Sequence, residues 1–285
     1  MEKLKIAVQK SGRLSEKSLQ LIKECNIKLT NGNRKLISVS SNFLIEILYL
    51  RDDDIPQCIN DGVADIGIVG KNEYLEKNFK LKTYKELGFA KCRLSLAIPK
   101  SEKYESLEYF QNKKIATSYP FILKSFLDKN KIEAEIHQIS GSVEISPSIG
   151  LADAIFDIVS SGSTLISNGL KEVETVMDSE AVIIGRKNLS SKKLNILNQF
   201  IFRINSVQKA KSNKYILLNA PNNKLKDIIE ILPGMKSPTI MPLVDDNWCS
   251  LHSVVNEDRF WEVIDQLKAK GAEGILVIPI EKMIL

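Results

Sequence analysis

Between Ala154 and Leu170 the chain runs Ala-Ile-Phe-Asp-Ile-Val-Ser-Ser-Gly-Ser-Thr-Leu-Ile-Ser-Asn-Gly-Leu. The apolar spacing of Ala154–Val159 is that of a short buried strand carrying one acid, Asp157. Ser160-Ser161-Gly162-Ser163-Thr164 breaks the apolar run, Leu165 and Ile166 resume it, and Asn168-Gly169 supplies a helix stop. A strand that turns through small residues into a helix start leaves backbone N–H groups unpaired and pointing one way. Such a corner accepts a phosphate, assisted by hydroxyl donors and the positive end of the helix dipole. The dipole contributes about 0.3–1 kcal/mol, and ~2 when partly buried, so direct hydrogen bonds must do most of the holding. On spacing alone an ordinary strand–turn–helix corner remains the alternative.

Other candidates stand in similar positions. Lys10-Ser11-Gly12-Arg13 follows the first expected strand, and its two cations suit a polyphosphate: arginine grips with two bonds, lysine adds a point charge. A solvated turn is the plain alternative. Arg51-Asp52-Asp53-Asp54 can hold Mg2+ through waters, although helix capping already explains its acids. Glu144 follows the Gly141-Ser142 turn; with Asp157 it can face sugar hydroxyls or a hydrated Mg2+, and either acid can equally be a surface group. Arg93, after Cys92, offers a cation near a strand start. Tyr119, before Pro120, offers a ring to stack on a base. His137 and His252 are the only histidines. Both are expected to be structural, which disfavours a histidine metal site or a Ser/His/Asp triad.

The elements that must position these groups alternate between strand and helix through the first 190 or so residues, the pattern of an α/β architecture with mainly parallel sheets. Strands are expected at Leu4–Val8, Leu36–Val39, Ile45–Leu50 and Ala64–Gly70. Ser15 is expected to cap a helix with Leu19, Ile22 and Cys25 inward. Asp52-Asp53-Asp54 before Ile55-Pro56 marks another helix start, ending at Gly62. A second lobe opens near Cys92, with strands at Arg93–Ile98, Ile115–Thr117 and Glu135–Ile139, a helix from Ser118-Tyr119-Pro120, and a last short strand at Val182–Ile184. A helix over Ser190–Ser206, with Leu194, Leu197, Phe200 and Ile201 inward, is expected to cross back to the first lobe. Ala64–Gly70 faintly echoes Phe156–Gly162, each an acid-bearing strand ending in small residues, as two similar lobes or chance would produce. The last 74 or so residues read βαββαβ, a ferredoxin-like module with no catalytic pattern: Lys214–Asn219, a helix over Leu225–Leu232 stopped by Pro233-Gly234, Thr239–Leu243, Trp248–Val255, a helix over Arg259–Lys270, and Gly274–Ile280.

Composition excludes several classes. The 285 residues are 44% hydrophobic and 26% charged, an ordinary globular balance. The net charge of +5 suits anionic ligands and is too small and dispersed for nucleic acid. Met1–Ile6 enters a strand pattern directly, so neither a signal peptide nor a membrane partner is expected. Four scattered cysteines are expected to be reduced thiols of a cytoplasmic protein.

These pieces resemble one family. Gln9–Leu14, Leu50–Pro56, Asp61–Gly70, Cys92–Ala97, Ile115–Pro120, Gly141–Glu144 and the Asp157–Thr164 segment are similar to the long form of ATP phosphoribosyltransferase. So are Leu232-Pro233-Gly234, Ser237–Ile240 and Ile278–Met283. The resemblance covers essentially the whole chain. It implies two periplasmic-binding-protein-like (type II) lobes, over 1–90 with 185–208 and over 91–184, and a ferredoxin-like regulatory domain over 212–285. It implies the first step of histidine biosynthesis, in which ATP and phosphoribosyl pyrophosphate (PRPP) give N1-(5-phosphoribosyl)-ATP and pyrophosphate with Mg2+. It also implies a dimer or hexamer inhibited by histidine. By resemblance Ser160, Ser161, Gly162, Ser163 and Thr164 cradle the 5-phosphate of PRPP, and Asp157 and Glu144 face the ribose hydroxyls or Mg2+. Lys10, Ser11, Gly12, Arg13, Arg93 and Tyr119 take pyrophosphate or ATP, with Arg13 also counted among the catalytic groups. In the terminal module Asp245, Asp246 and Ser250 are the first candidates for the effector's ammonium. Ser163 and Ser161 stand where many relatives carry alanine and threonine; both keep the loop small. The rival readings are a two-lobed solute receptor and a non-catalytic regulatory subunit. Met1–Ile6 disfavours the first, and the retained Lys10, Arg13, Glu144, Asp157 and loop disfavour the second.

Overall fold

Two sheets of one design carry the candidate residues. The computed structural model describes residues 2–30, 36–232, 234–235 and 237–284. It opens with β1 (Leu4–Gln9), α1 (Arg13–Glu24), β2 (Ile37–Val39), β3 (Ile45–Leu50), α2 (Ile55–Asn60), β4 (Ile66–Gly70), α3 (Lys71–Glu76) and β5 (Lys82–Glu86). The chain then enters a second sheet with β6 (Cys92–Pro99), β7 (Lys114–Thr117), α4 (Pro120–Asn130), β8 (Glu135–Gln138), β9 (Ala154–Val159), α5 (Ser163–Ser167) and β10 (Leu170–Ser179). It returns to the first sheet as β11 (Ala181–Gly185).

The strand orders are β2-β3-β1-β4-β11-β5 and β10-β6-β9-β7-β8. In the first sheet β3, β1 and β4 are parallel and β11 runs against β4 and β5. In the second β8, β7 and β9 are parallel and β6 runs against β9 and β10. Each sheet is therefore completed by one antiparallel strand from the segment that crosses between them, the topology of type II periplasmic-binding-protein-like lobes. The faint echo gains a position here: β4 and β9 occupy the same place, between the first strand of each lobe and its crossing strand. Strands buried on both faces read as near-continuous apolar runs, and Ile6, Ala7, Val8, Ile66, Ile68, Ile155 and Phe156 are fully buried. Gly67 is needed on β4, because a Cβ there would lie 2.5 Å from Ile55 of α2. In such sheets ligands gather outside the carboxyl ends of the strands. Those ends are where Lys10–Gly12, Arg51–Asp54, Ser118–Tyr119, Ser140–Glu144 and Ser160–Gly162 lie.

Several expectations are corrected. Ser15 lies buried inside α1, which starts two residues earlier because Gly12 takes φ +94° and its carbonyl accepts Glu16 N–H at 3.1 Å. The strands β5 and β10 were not expected; they flank their sheets at the edge, and half-exposed edge strands carry mixed polar sequences without clean alternation. Gly70 leads into helix α3 rather than a simple turn. The return to the first sheet is made by β11, so Val182–Ile184 belongs there. The following helix, α6 (Ser191–Lys211), is longer than expected, and Leu194 is exposed while Ile196, Leu197, Phe200, Ile204 and Val207 are buried.

Contacts divide the chain into two compact units, residues 1–23 with 27–197 and residues 24–26 with 198–285. The second unit contains β12 (Asn213–Pro221), α7 (Leu225–Ile231), β13 (Thr239–Pro242), β14 (Trp248–Asn256), α8 (Glu257–Ala269) and β15 (Glu273–Pro279). Its antiparallel sheet has the order β13-β14-β12-β15, as in a ferredoxin-like module. Ile216, Leu218, Leu251, Phe260 and Leu267 form its core. Asn256 caps α8 by accepting Asp258 and Arg259 N–H. The expected stop at Pro233 lies outside the described residues. All four cysteines are free thiols, and no described helix is long and apolar enough to cross a membrane.

Candidate active site

The bend after β9 is built as the residues demand. Gly162 takes φ +78°, which a β-carbon would oppose, and its carbonyl accepts Ile166 N–H at 3.1 Å to open α5. Asn168 ends the helix, donating from its backbone to the Thr164 carbonyl at 3.2 Å and from its side chain to the same oxygen at 2.9 Å. The helix is only five residues long. Its dipole is therefore slight, and the bend's hydroxyls and first-turn amides are the usable donors. Ser160, Ser161, Ser163 and Thr164 are all exposed, with Ser161 Oγ 2.9 Å from Ser163 Oγ.

Asp157 sits opposite Ser95 in the β6–β9 register and is half-buried. Its Oδ1 accepts Ile158 N–H at 2.8 Å. Burial pushes its carboxyl from 3.8 up to about 6; the Ile158 N–H opposes that rise and the nearby charge of Glu144 adds to it. Glu144 lies in a short helical turn, Val143–Ile145, reached through Gly141 (φ +76°) and Ser142 (φ +51°) and anchored by buried Val143. The structure thus brings the two expected carboxylates together. No group of three or more His, Cys, Asp or Glu able to hold a metal occurs among the described residues. Two neighbouring carboxylates fit a divalent cation as a minority ligand set, with substrate oxygens and water completing the shell.

At the first sheet, Lys10 N–H donates to the Leu50 carbonyl at 2.7 Å, tying the Lys10–Arg13 turn to the end of β3. Lys10, Ser11, Gly12 and Arg13 are exposed. Asp52 accepts the Gln9 amide at 3.3 Å, and the Asp54 side chain makes no capping bond to α2, so capping does not account for these acids.

Two expected ligand groups are otherwise engaged. Arg93 is gripped through Nε and Nη2 by Glu172 of β10, and its Nη1 reaches the Ser160 carbonyl at 3.4 Å. Arg93, expected to offer a cation to pyrophosphate or ATP, is thus paired with Glu172. Tyr119 is 7% exposed, its ring packed in the core of the second lobe, so it is no open stacking platform. Its hydroxyl donates to Glu73 Oε1 at 2.7 Å and accepts from Asn72 Nδ2 at 3.2 Å, while Asn72 Oδ1 accepts Ser179 Oγ at 2.7 Å. Burial pushes both Tyr119 and Glu73 up. Glu76 accepts Phe121 and Ile122 N–H at 2.8 and 3.0 Å and so caps α4. Helix α3 thereby joins the two lobes. The sequence carried no signal for this, because Glu73 and Tyr119 are 46 residues apart and each looks locally ordinary.

In the terminal module Asp245 closes its own turn, accepting Asn247 N–H at 2.9 Å, and Asp246 is exposed beside it. Ser250 lies within β14, 7% exposed, its Oγ 3.1 Å from His252 Nε2; Tyr215 Oη is 2.8 Å from His252 Nδ1. Ser250 therefore groups with Tyr215 and His252 in its hydrogen bonds.

Comparison with known proteins shows the family. Residues 51–206 match the family model described as ATP phosphoribosyltransferase, and residues 210–282 match that of the HisG C-terminal domain. ATP phosphoribosyltransferases of Phocaeicola vulgatus and Bacteroides thetaiotaomicron are each 61% identical over 282 residues, covering 99% of this chain and all of theirs. The ATP phosphoribosyl transferase (HisG:HisZ) complex from Thermotoga maritima contains a chain that is 27% identical, with a TM-score of 0.61, over 71% of this chain and 98% of that one. With both family models matched in order and full-length relatives at that identity, this chain belongs to the ATP phosphoribosyltransferase (HisG) family, in the long form that carries the C-terminal domain.

Proposed function

We propose that this chain transfers the 5-phosphoribosyl group of PRPP to N1 of ATP, releasing pyrophosphate, as the first step of histidine biosynthesis. The observation that carries the residue assignment is the hydroxyl bend after β9 standing beside the half-buried Asp157–Glu144 pair. Ser160, Ser161, Gly162, Ser163 and Thr164 hold the 5-phosphate through hydroxyls and first-turn amides. Adenine N1 attacks the anomeric carbon of the ribose; the N1–C1 bond forms as the bond from C1 to the pyrophosphate oxygen breaks, and that oxygen keeps the electron pair. Positive charge grows on the sugar, and the ionised Asp157 and Glu144 face it. Lys10 and Arg13, both exposed, take the charge growing on the leaving group. No proton need move in this step, so two structural histidines suffice. When bound, Mg2+ neutralises phosphate charge, with Glu144 and Asp157 as its protein ligands.

The two lobes are the catalytic part and the terminal module the regulatory part, where histidine binds and inhibits. Asp245, Asp246 and Ser250 stay candidates for that site, with Ser250 favoured because its Oγ pairs with His252, which in turn pairs with Tyr215. The proposal includes a cytoplasmic homo-oligomer, dimer or hexamer. The test is purified protein with ATP, PRPP and Mg2+, followed by the ultraviolet absorbance of the adduct, with and without histidine. Adduct formation that stops when PRPP is omitted is expected; no adduct with the complete mixture overturns the catalytic assignment. Undiminished rates at saturating histidine overturn the regulatory one.

A further inference from the structure

One side chain of β10 holds the arginine that reaches the bend after β9. Glu172 stands where the β10–β6 register shifts, between Glu172 and Glu174. Such irregularities re-aim side chains beside functional sites. Its carboxylate takes both arms of the Arg93 fork. It also accepts Ser95 Oγ at 2.7 Å and Thr175 Oγ1 at 3.3 Å. Ser95 is the register partner of Asp157, and Arg93 that of Val159, the residue before the bend. Held in this way, Arg93 turns its remaining nitrogen, Nη1, to the Ser160 carbonyl at the first residue of the bend.

We propose that Glu172 is a positioning residue for the PRPP loop. By fixing the Arg93 guanidinium it braces the Ser160 carbonyl, so that the peptide amides from Ser161 to Thr164 are aimed before the donor arrives. The inference rests on the reading of that bend as the phosphate site. The physical logic is a division of labour: a planar fork held by a bidentate carboxylate has lost the freedom to chase a ligand and gained a fixed direction. Partners on three sides make the carboxylate the most constrained part of the cluster. Its charge keeps it there, because Arg93 lowers its proton affinity. Arg93 is thus a brace rather than a phosphate ligand.

Steady-state kinetics and thermal melting of the full chain test this with Glu172→Gln, Arg93→Lys, their double variant and Thr164→Ala. Loss of one charge-assisted bond network in Glu172→Gln should raise KM for PRPP by about five- to tenfold, with KM for ATP within about twofold and kcat within about threefold. Arg93→Lys keeps the charge and loses the fork, so it should reproduce the rise in KM for PRPP. The double variant should be no worse than either single one, as expected of two residues acting as one unit. An unchanged KM for PRPP in Glu172→Gln overturns the proposal. So does a parallel rise of both KM values with a fall of kcat and melting temperature, which marks a merely structural pair. A harmless Arg93→Lys beside a harmful Glu172→Gln overturns it as well, since charge and not direction would then matter. Thr164→Ala separates the two levels. If it leaves KM for PRPP unaltered, the bend does not hold the donor and both readings fall. If it raises KM for PRPP while Glu172→Gln does not, only the role of Glu172 falls.

Discussion

Replacing Asp157 by asparagine should make the protein more stable and much less active. The folded chain holds this carboxyl at about 6 against 3.8 ordinarily, because burial disfavours its charge and Glu144 repels it. A displacement of about two pH units, at about 1.4 kcal/mol each, means that ionised Asp157 costs the folded state up to about 3 kcal/mol. The sign follows from proton binding. The folded state binds this proton more tightly than the unfolded one, so stability falls as pH rises from about 4 to 6, and the full cost is present above that window. Asparagine keeps the acceptor for Ile158 N–H and never ionises. Asp157→Asn should therefore gain roughly 2–3 kcal/mol over the parent at pH 8 and about half of that at pH 5. At pH 8 this corresponds to a rise in melting temperature of roughly 4–9 °C. Turnover should fall by more than about tenfold, because the charge proposed to face the cationic sugar is lost. Urea unfolding at pH 5 and pH 8, beside the adduct assay, reads both. A variant less stable than the parent at pH 8, or a gain independent of pH, would refute the burial argument. Parental turnover would remove Asp157 from the chemistry.

Three further outcomes are expected. Gly162→Ala, placing a β-carbon at φ +78°, should cost about 1–2 kcal/mol by thermal melting and raise KM for PRPP more than KM for ATP. Tyr119→Phe strips Glu73 and Asn72 of a partner between the lobes and should cost about 1–3 kcal/mol. Because the phenol stabilises the ionised form of Glu73, that loss should be larger at pH 8 than at pH 5, which urea melts at the two values measure. Asp65 is 1% exposed and pairs with Arg186 at 2.9 Å and Lys193 at 2.8 Å. Asp65→Asn leaves both cations without their buried partner and should cost about 3–5 kcal/mol of stability, while the activity of the folded fraction is unchanged.

The bend at Ser160–Thr164 was legible because everything it needs is contiguous: an apolar strand, small hydroxyls, a glycine that tolerates positive φ, and an amide that stops the helix. The same holds for the turn at Lys10–Arg13 and for the βαββαβ order of the terminal module. What stayed hidden was whatever depends on partners distant in the chain. Strand β10 has no alternation to read, since it lies at a sheet edge. The glycine at the end of β4 reads as a turn, yet helix α3 begins there, and its Glu73 and Glu76 reach Tyr119 and the start of α4 across the lobes. The partner of Arg93 could not be read from the sequence, because the carboxylate that grips it arrives 79 residues later.

Local chemistry was thus written in the order of residues, since backbone conformation and periodicity depend on near neighbours. That order alone determined the alternating α/β layout, the hydroxyl-rich bend after β9 and the separate terminal module. Only the tertiary structure decided which charges are spent on the protein itself and which are left for a ligand. Coulomb attraction and desolvation depend on distance and burial in space, which chain separation does not record.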